Sequence, residues 1–287
     1  NKILRIAKIR FENMRDAVYW SYTSLGDGEL IEIRNCSFDG NDHSLSLLGG
    51  GEMVATIADC VFGNVADRGP HVYGTNQSRF RMQRCVSRLD EASPWSALHT
   101  AFWESPDVLI EDCEFYNGAG VVAPAFGQPV VFRRCLFEGQ RNQALDNGIT
   151  SGIRIEDCRF RLQNQIVMSY NRPQETTIVN SVVEDVNDVV FLLPTIGPMT
   201  VHNCDLAKGR RGVVYLIDDA YCYMHDPHVL DMTDNYWGTD NPDSIEAWIR
   251  DATDDPAACH TVDYTPYRAD STPAERTSLS DVKALFR

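Results

Sequence analysis

The chain has 287 residues, of which 43% are hydrophobic, so it is long enough to bury a sizeable core. Its formal net charge of −15 and pI of about 4.8 argue against nucleic acid and anionic membranes as partners, because phosphate binding needs a field of Lys and Arg side chains. No apolar run reaches the roughly 18 to 20 residues that a membrane-spanning helix requires, so membrane insertion is not expected.

Seven of the nine cysteines lie in one local phrase that recurs about every 25 residues. Its clearest copies are residues 31–38 (IEIRNCSF), 108–115 (VLIEDCEF) and 153–160 (IRIEDCRF). The gaps between ten copies run from 22 to 31 residues, which predicts a repeat architecture. In chain order the cysteine slot holds Ile9, Cys36, Cys60, Cys85, Cys113, Cys135, Cys158, Ser181, Cys204 and Asn235.

Each copy predicts a strand, a sharp corner and a second short strand. Ile153 and Ile155 alternate with the charged Arg154 and Glu156, and this period of two is typical of a strand with one buried face. Asn or Asp precedes the slot in seven copies and favours a corner, because both residues tolerate left-handed backbone. The second strand is apolar and recurs at residues 97–98, 121–122, 144–145, 166–167, 189–190 and 213–214.

The last quarter of the chain breaks the period. Ile245, Trp248 and Ile249 fall at i, i+3 and i+4, which predicts a short amphipathic helix within residues 243–250. Residues 262–267 then predict one more strand. We expect residues 1–240 to form the repeats, 241–267 a C-terminal cap, and 268–287 a linker and tail. Because the chain begins inside the repeat pattern, we expect it to be part of a longer or processed chain.

The repeated phrase, and second strands such as 212–216 (GVVYL), resemble those of the right-handed parallel β-helix family with the pectin-lyase-like fold. The resemblance covers residues 3 to about 240. It implies an all-β, right-handed parallel β-helix solenoid of about ten rungs with a short C-terminal helical cap. It also implies a bacterial protein that is secreted or displayed at the cell surface. Because the family includes lyases, hydrolases, epimerases, adhesins and phage fibres, the resemblance leaves the activity open.

The ladder cysteines are predicted to be buried free thiols. Each stands alone at one inward slot per rung, and Ile, Ser or Asn replaces it elsewhere, which indicates a small buried side chain. No CxxC motif occurs, so a zinc site is not expected. Cys222 and Cys259 stand outside the ladder and could form a bridge. No cofactor is expected, although calcium is left open.

The second strand offers the candidate catalytic residues His99, Asp146, Asp218 and Asp219. His99 and Asp146 are two rungs apart, roughly 9 to 10 Å between backbones, and Asp146 and Asp218 are roughly 14 Å apart, too far for a carboxylate pair. A lone strand histidine is more often structural than catalytic. The sequence does not decide which way this column faces. We align the column as Tyr19, Ser46, Gly74, His99, Ala123, Asp146, Met168, Phe191 and Tyr215.

Aromatic and amide side chains near this column suggest contact with a polysaccharide or cell-surface glycan. Trp103, Asn147, Tyr170 and Asn171 are the predicted substrate-binding residues, because sugars need both ring faces and hydrogen-bonding groups. We therefore expect a glycan-contacting module, and binding is favoured over catalysis. One alternative is a polysaccharide lyase or glycoside hydrolase of the pectin-lyase-like class. The other is a structural or adhesive scaffold with no catalytic site.

Overall fold

The chain folds as an all-β parallel solenoid, as predicted. The computed structural model describes residues 2–22, 28–65, 69–105, 107–123, 125–127, 129–146, 152–168, 175–193, 198–216 and 227–271. Within them a 20-stranded sheet and a 9-stranded sheet run side by side along the solenoid. Each strand pairs in parallel with its counterpart in the next rung, in registers such as Leu109↔Val131 and Val131↔Arg154.

Each rung has three strands, because the Phe of the repeat phrase, which follows the predicted corner, belongs to a short strand of its own. First strands precede the cysteine slot: β1 Lys2–Ala7, β4 Glu29–Arg34, β11 Asp107–Glu111, β15 Val130–Arg133, β18 Ile153–Glu156, β21 Thr176–Val179, β24 Met199–His202 and β27 Val229–Asp231. Corner strands follow it and form the smaller sheet: β2 Arg10–Glu12, β5 Ser37–Asp39, β7 Val61–Val65, β9 Val86–Leu89, β12 Glu114–Tyr116, β16 Leu136–Glu138, β19 Arg159–Arg161, β22 Val182–Glu184 and β25 Asp205–Leu206.

The predicted second strand is the third strand of each rung, which we call the return strand. The return strands are β3 Asp16–Tyr22, β10 Leu98–Ser105, β13 Val121–Val122, β14 Ala125–Gly127, β17 Gln143–Asp146, β20 Gln165–Met168, β23 Val189–Leu193 and β26 Gly212–Leu216. In two early rungs the return strand runs straight into the next first strand, giving the long strands β6 His43–Ala58 and β8 His71–Gln83. The smaller sheet has nine strands against about ten predicted rungs, because the tenth copy adds only the bridge Asp205↔Tyr236.

The ladder cysteines are buried and free, as predicted. Their thiols donate to the carbonyl two residues back, for example Cys113 Sγ to Glu111 O at 3.2 Å. Burial raises the pKa of the Cys113, Cys158 and Cys204 thiols, the last to about 12. A thiol in this setting is a small apolar core residue and not a nucleophile.

Stacked phenylalanines fill the core behind the corner strands. Phe11, Phe38 and Phe62 stack with ring centroids 4.9 and 4.8 Å apart, close to the separation of paired strands. A second stack runs through Phe115, Phe137 and Phe160. Between the two stacks Ser87 occupies the phenylalanine position of its rung, and its buried hydroxyl donates to Ala97 O at 2.6 Å.

A left-handed residue makes the corner before every cysteine slot. The ten residues at this position have φ between 50° and 59°. Seven are the Asn and Asp residues on which the corner was predicted, and Lys8, Arg84 and Arg134 fill the others. Arg84 and Arg134 each reach back one rung to an aspartate corner, at 2.6 Å to Asp59 and 2.7 Å to Asp112. These ion pairs help hold the two arginines in a conformation that their backbone disfavours.

The C-terminal helix is shorter than the sequence predicted. Helix α1 covers Pro242–Glu246, and Asn241 caps its first turn. Trp248 and Ile249 lie outside it, because residues 249–250 form the strand β28 Ile249–Arg250, which pairs with β26. The strand β29 Thr261–Asp263 closes the first-strand face against β27. No helix among the described residues is long and apolar enough to cross a membrane.

Candidate functional site

The return-strand column that contains His99 faces solvent. Leu98 and Thr100 on either side are fully buried, whereas His99 is partly exposed, so alternation turns its imidazole outward. The registers place Tyr19, Ser46, His71, His99, Val122, Asp146 and Met168 in one line. Further along the solenoid, Leu192 and Tyr215 pair on neighbouring strands.

Three members of the predicted column were wrong. Gly74, Ala123 and Phe191 are buried in the core, and the registers place His71, Val122 and Leu192 in the column instead. Aligning the return strands by counting residues along the sequence failed, because the connection between the first strand and the return strand varies in length from rung to rung. The long strands β6 and β8 also have no turn from which to count.

His71, Tyr73 and His99 form a compact ring cluster on two neighbouring rungs. The His71 ring lies 4.3 Å from Tyr73 in an edge arrangement and 4.7 Å from His99, centroid to centroid. Tyr73 Oη and His99 Nε2 are 3.2 Å apart and share a hydrogen bond. We call His71, Tyr73 and His99, together with Tyr19 and Ser46 on the preceding rungs, the His/Tyr patch. It gathers polar ring edges on one outward face.

An Asp–His pair borders the His/Tyr patch. Asp16 Oδ1 and His43 Nδ1 are 2.7 Å apart, on the first residues of β3 and β6. With Tyr19, Ser46 and His71 they line a shallow cavity of about 210 Å³. Leu48 and Gly69 complete its wall. The cavity gives the patch a concave surface lined by both polar and apolar groups, a combination common in ligand sites.

The outward side of the first strands is different, because charge ladders occupy it. Glu111, Arg133 and Glu156 lie in one column, and Arg133 Nε is 2.7 Å from Glu156 Oε2. Burial acts to raise the pKa of Glu156, but Arg133 and Arg154 outweigh it and hold that pKa below its usual range. Docking a neutral ligand on this face would desolvate paired charges, whereas the His/Tyr patch presents mainly ring and hydroxyl groups.

The predicted site residues are only partly described. His99 is at the centre of the His/Tyr patch, and Asp146 follows it two rungs along the same column. Trp103 lies on β10, but its side chain, like that of Asp146, is outside the described residues. Asn147, Tyr170, Asn171, Asp218 and Asp219 also lie outside them.

Sequence reasoning missed Asp16, His43, His71 and Tyr73. The signal for Asp16 and His43 lies in the register, which pairs these two residues 27 positions apart. A search for outward positions flanked by buried ones would have found His71 and Tyr73, because Val72 between them is fully buried.

The described part of the site has one carboxylate, Asp16, and that carboxylate faces His43. Within the part of the chain that the structure describes, no group of three or more His, Cys, Asp or Glu side chains is placed to hold a metal ion. The arrangement can therefore donate and accept hydrogen bonds and offer ring surface. Its Tyr–His hydrogen bond could also relay a proton.

Cysteine pairing differs between the ladder and the cap. Cys259 is disulfide-bonded. Cys222, which the sequence offers as its partner, lies outside the described residues.

Comparison with known proteins identifies the repeat region. A family model described as "Right handed beta helix region" matches residues 6–206, more than two thirds of the chain. Neither the curated proteins nor the solved structures gave a match. The matched stretch includes every residue of the His/Tyr patch.

Proposed function

We propose, from the premise that this chain belongs to the right-handed β-helix family, that it binds a polysaccharide along the outward face of its return strands. The observation that carries the proposal is the His/Tyr patch, in which rings from neighbouring rungs cluster beside a shallow cavity. Tyrosine and histidine rings offer an apolar face to sugar C–H groups, while their hydroxyl and nitrogen atoms hydrogen-bond sugar hydroxyls.

The repeat geometry suits a linear polymer. The column that contains Tyr19, His71 and His99 runs across the strands, so its members succeed one another at roughly 4.8 Å along the solenoid axis. A chain of sugar rings lying parallel to the axis could meet a similar surface on each rung. Binding energy would then accumulate over several weak contacts rather than from one deep pocket.

Binding is favoured over cleavage. A glycoside hydrolase needs two carboxylates about 5 to 9.5 Å apart, and among the described residues Asp16 is the one carboxylate that lines the cavity beside the His/Tyr patch. The enzymatic alternative rests on Asp146, Asp218 and Asp219, none of whose side chains is among the described residues. We propose an extracellular or cell-surface location. The disulfide at Cys259 supports it, because disulfides persist in oxidising compartments.

A glycan array with the 287-residue chain tests the proposal, run beside an assay for reducing sugars and unsaturated products. The test variant is Tyr73→Ala with His99→Ala. The matched control is Tyr116→Ala with His202→Ala, which removes the same residue types from other faces. Thermal unfolding of each variant checks that it folds.

We expect the array to show a bound polysaccharide, with affinity reduced about 10-fold or more in the test variant and unchanged in the control. Undiminished binding by the test variant would reject the His/Tyr patch as the site. Product formation would favour the enzymatic alternative. Absence of binding to every glycan would favour the scaffold alternative.

A further inference from the structure

One connection of the solenoid is longer than its neighbours. Residues 90–97 join the corner strand β9 to the return strand β10, whereas residues 117–120 and 139–142 make the same connection in the next two rungs. We call residues 90–96 the Trp95 loop. Because four residues close each of the neighbouring rungs, the added residues are not needed to make the turn.

Hydrogen bonds hold the Trp95 loop against those two rungs. Trp95 O accepts from the backbone N–H of Ala119 at 2.8 Å, and Ala92 O accepts from Arg141 Nη1 at 2.6 Å. A Cβ atom at Gly118, which has φ of 74°, would come within 2.6 Å of Trp95 O, so the glycine makes room for the loop. The loop is therefore ordered in advance, and a ligand that contacts it has little backbone entropy to remove.

The loop turns a polar side chain inward and its largest apolar side chain outward. Ser93 is 5% exposed, and its hydroxyl accepts from the backbone N–H of Trp95 at 3.3 Å. Trp95 itself keeps 41% of its surface exposed, and Pro94 beside it is exposed as well. An indole ring offers a wide apolar face and one N–H donor, which suits the C–H face and the hydroxyl groups of a sugar ring.

The Trp95 loop borders the column that contains His99. Trp95 precedes His99 by four residues, which span at most about 14 Å of extended chain. The loop lies beside residues 118–120, which lead directly into β13, and Val122 of β13 is the neighbour of His99 in the column. A polymer that leaves His99 along the solenoid axis therefore passes Val122 with the Trp95 loop at its side.

This path offers little positive charge. Asp90 and Glu91 are exposed at the start of the loop, and Asp16 lines the cavity beside the His/Tyr patch. Among the described residues, neither the cavity lining nor the ring cluster includes a Lys or Arg. Of the nearby guanidinium groups, that of Arg141 donates to a carbonyl of the loop, and that of Arg15 is 4.0 Å from Asp16. A polysaccharide with a carboxylate or sulfate on each ring would be repelled here, in a chain of net charge −15.

We infer that the Trp95 loop is a second binding subsite and that the polysaccharide bound there is neutral. The inference rests on the proposed function, because it extends the same outward face. The Trp95 indole stacks on the C–H face of one pyranose, while the His/Tyr patch holds another pyranose of the same chain. Because one chain engages both subsites, affinity rises with chain length. Arg141 is a positioning residue, because it holds the loop rather than the sugar.

Calorimetric titration at about pH 8, where free imidazole is neutral, tests the substrate class. The neutral probes are cello-, xylo-, manno- and galacto-oligosaccharides. The acidic probes are oligogalacturonates and oligoguluronates, which carry a carboxylate on each ring. We expect binding of a neutral series, with affinity that rises with chain length. Tighter binding of an acidic probe than of every neutral one would overturn the inference.

Variants then locate the subsite. Trp95→Ala should lower the affinity for the longest bound oligosaccharide about 10-fold or more, and so flatten the rise of affinity with chain length. Trp95→Phe, which keeps an aromatic face, should retain most of the affinity. Arg141→Ala should weaken binding in the parent but not in Trp95→Ala, because it acts through the loop. The matched control, Tyr116→Ala, removes an aromatic side chain from the corner strands and should bind like the parent.

Thermal unfolding checks that each variant folds. Neutral-glycan binding that is lost in Tyr73→Ala with His99→Ala, but is undiminished in folded Trp95→Ala, would overturn this inference alone. Absence of binding by every probe would overturn the proposed function and this inference with it.

Discussion

Replacing Cys135 by Asp should cost this protein a large part of its stability. Cys135 is 2% exposed, and its thiol faces the carbonyl oxygens of Arg133 at 3.4 Å and Ile110 at 3.5 Å. A carboxylate at this position would face these two acceptors, and the single backbone N–H of Cys113 that points at the slot would only partly offset their repulsion. It would also sit inside a column whose other members are uncharged: six thiols, Ile9, Ser181 and Asn235.

The size of this loss in stability follows from the free-energy cost of burying a charge without a full set of partners. Burial without a partner can raise the pKa of an Asp carboxyl from about 3.9 by about 3 or more, and each pKa step is worth about 1.4 kcal/mol. At pH 7 the loss is therefore about 4 kcal/mol or more. For a chain of this size that corresponds to a drop in Tm of roughly 8 °C or more.

Thermal and urea unfolding followed by circular dichroism measure this loss. Cys135→Ser should be much milder, because Ser181 already fills the equivalent slot and donates to Val179 O. Thr177→Asp on the outward side of β21 is the surface control. Because the pKa of the introduced carboxyl is raised in the folded state, its penalty grows as pH rises and should shrink as pH falls toward about 4. Equal melting temperatures for Cys135→Asp and the parent would refute the inward thiol column.

Three further predictions follow from the core and the corners. The seven ladder thiols should react with a thiol reagent only after denaturation, without any reductant; reaction of several in the native protein would contradict their burial. Glu29→Gln should stabilise the chain at pH 7, because burial raises the pKa of the Glu29 carboxyl. The two carboxyl oxygens make no hydrogen bond of normal geometry. The indole N–H of Trp20 and the charge of Lys2 lower that pKa and so partly offset the effect of burial. Because the pKa of Glu29 is raised in the folded state, the parent loses stability as pH rises above 4.5. The Tm values of the parent and of Glu29→Gln should therefore be equal at acid pH and diverge toward neutral pH. Parallel curves of Tm against pH for the two proteins would contradict this. Asn180→Ala should cost about 1 to 2 kcal/mol, since Asn180 has φ of 52°, whereas Asn180→Gly should be nearly neutral in urea unfolding; the reverse order would be evidence against the corner argument.

The repeat made the fold predictable from the sequence. A Cys, Ser or Asn that recurs at one slot must fill the same space in every rung, and an Asn or Asp before it must make the same corner. Asn235 shows how strict that space is. It ends the ladder by donating to the carbonyls of Val201 and Met232 and accepting from the backbone N–H of Cys204.

The site was less predictable, because it depends on features that do not repeat. His99 was identified as a candidate, but its orientation became clear only from the burial of Leu98 and Thr100. His71 was missed because β8 continues into the next first strand and so hides where the return strand begins. The helix predicted to extend through Ile249 ends earlier for a related reason. Strand pairing of Ile249 with Val214 outweighs the local helical pattern. In each case the register between neighbouring rungs determines where the residue lies. That register cannot be counted from the sequence where the connections between strands vary in length.

The most direct test of the proposed function is a crystal structure of the 287-residue chain with the glycan that binds it most tightly on the array. We expect sugar rings in contact with His71, Tyr73 and His99, with the glycan running along the solenoid axis. Sugar bound on the first-strand face, or across the corner strands, would contradict it.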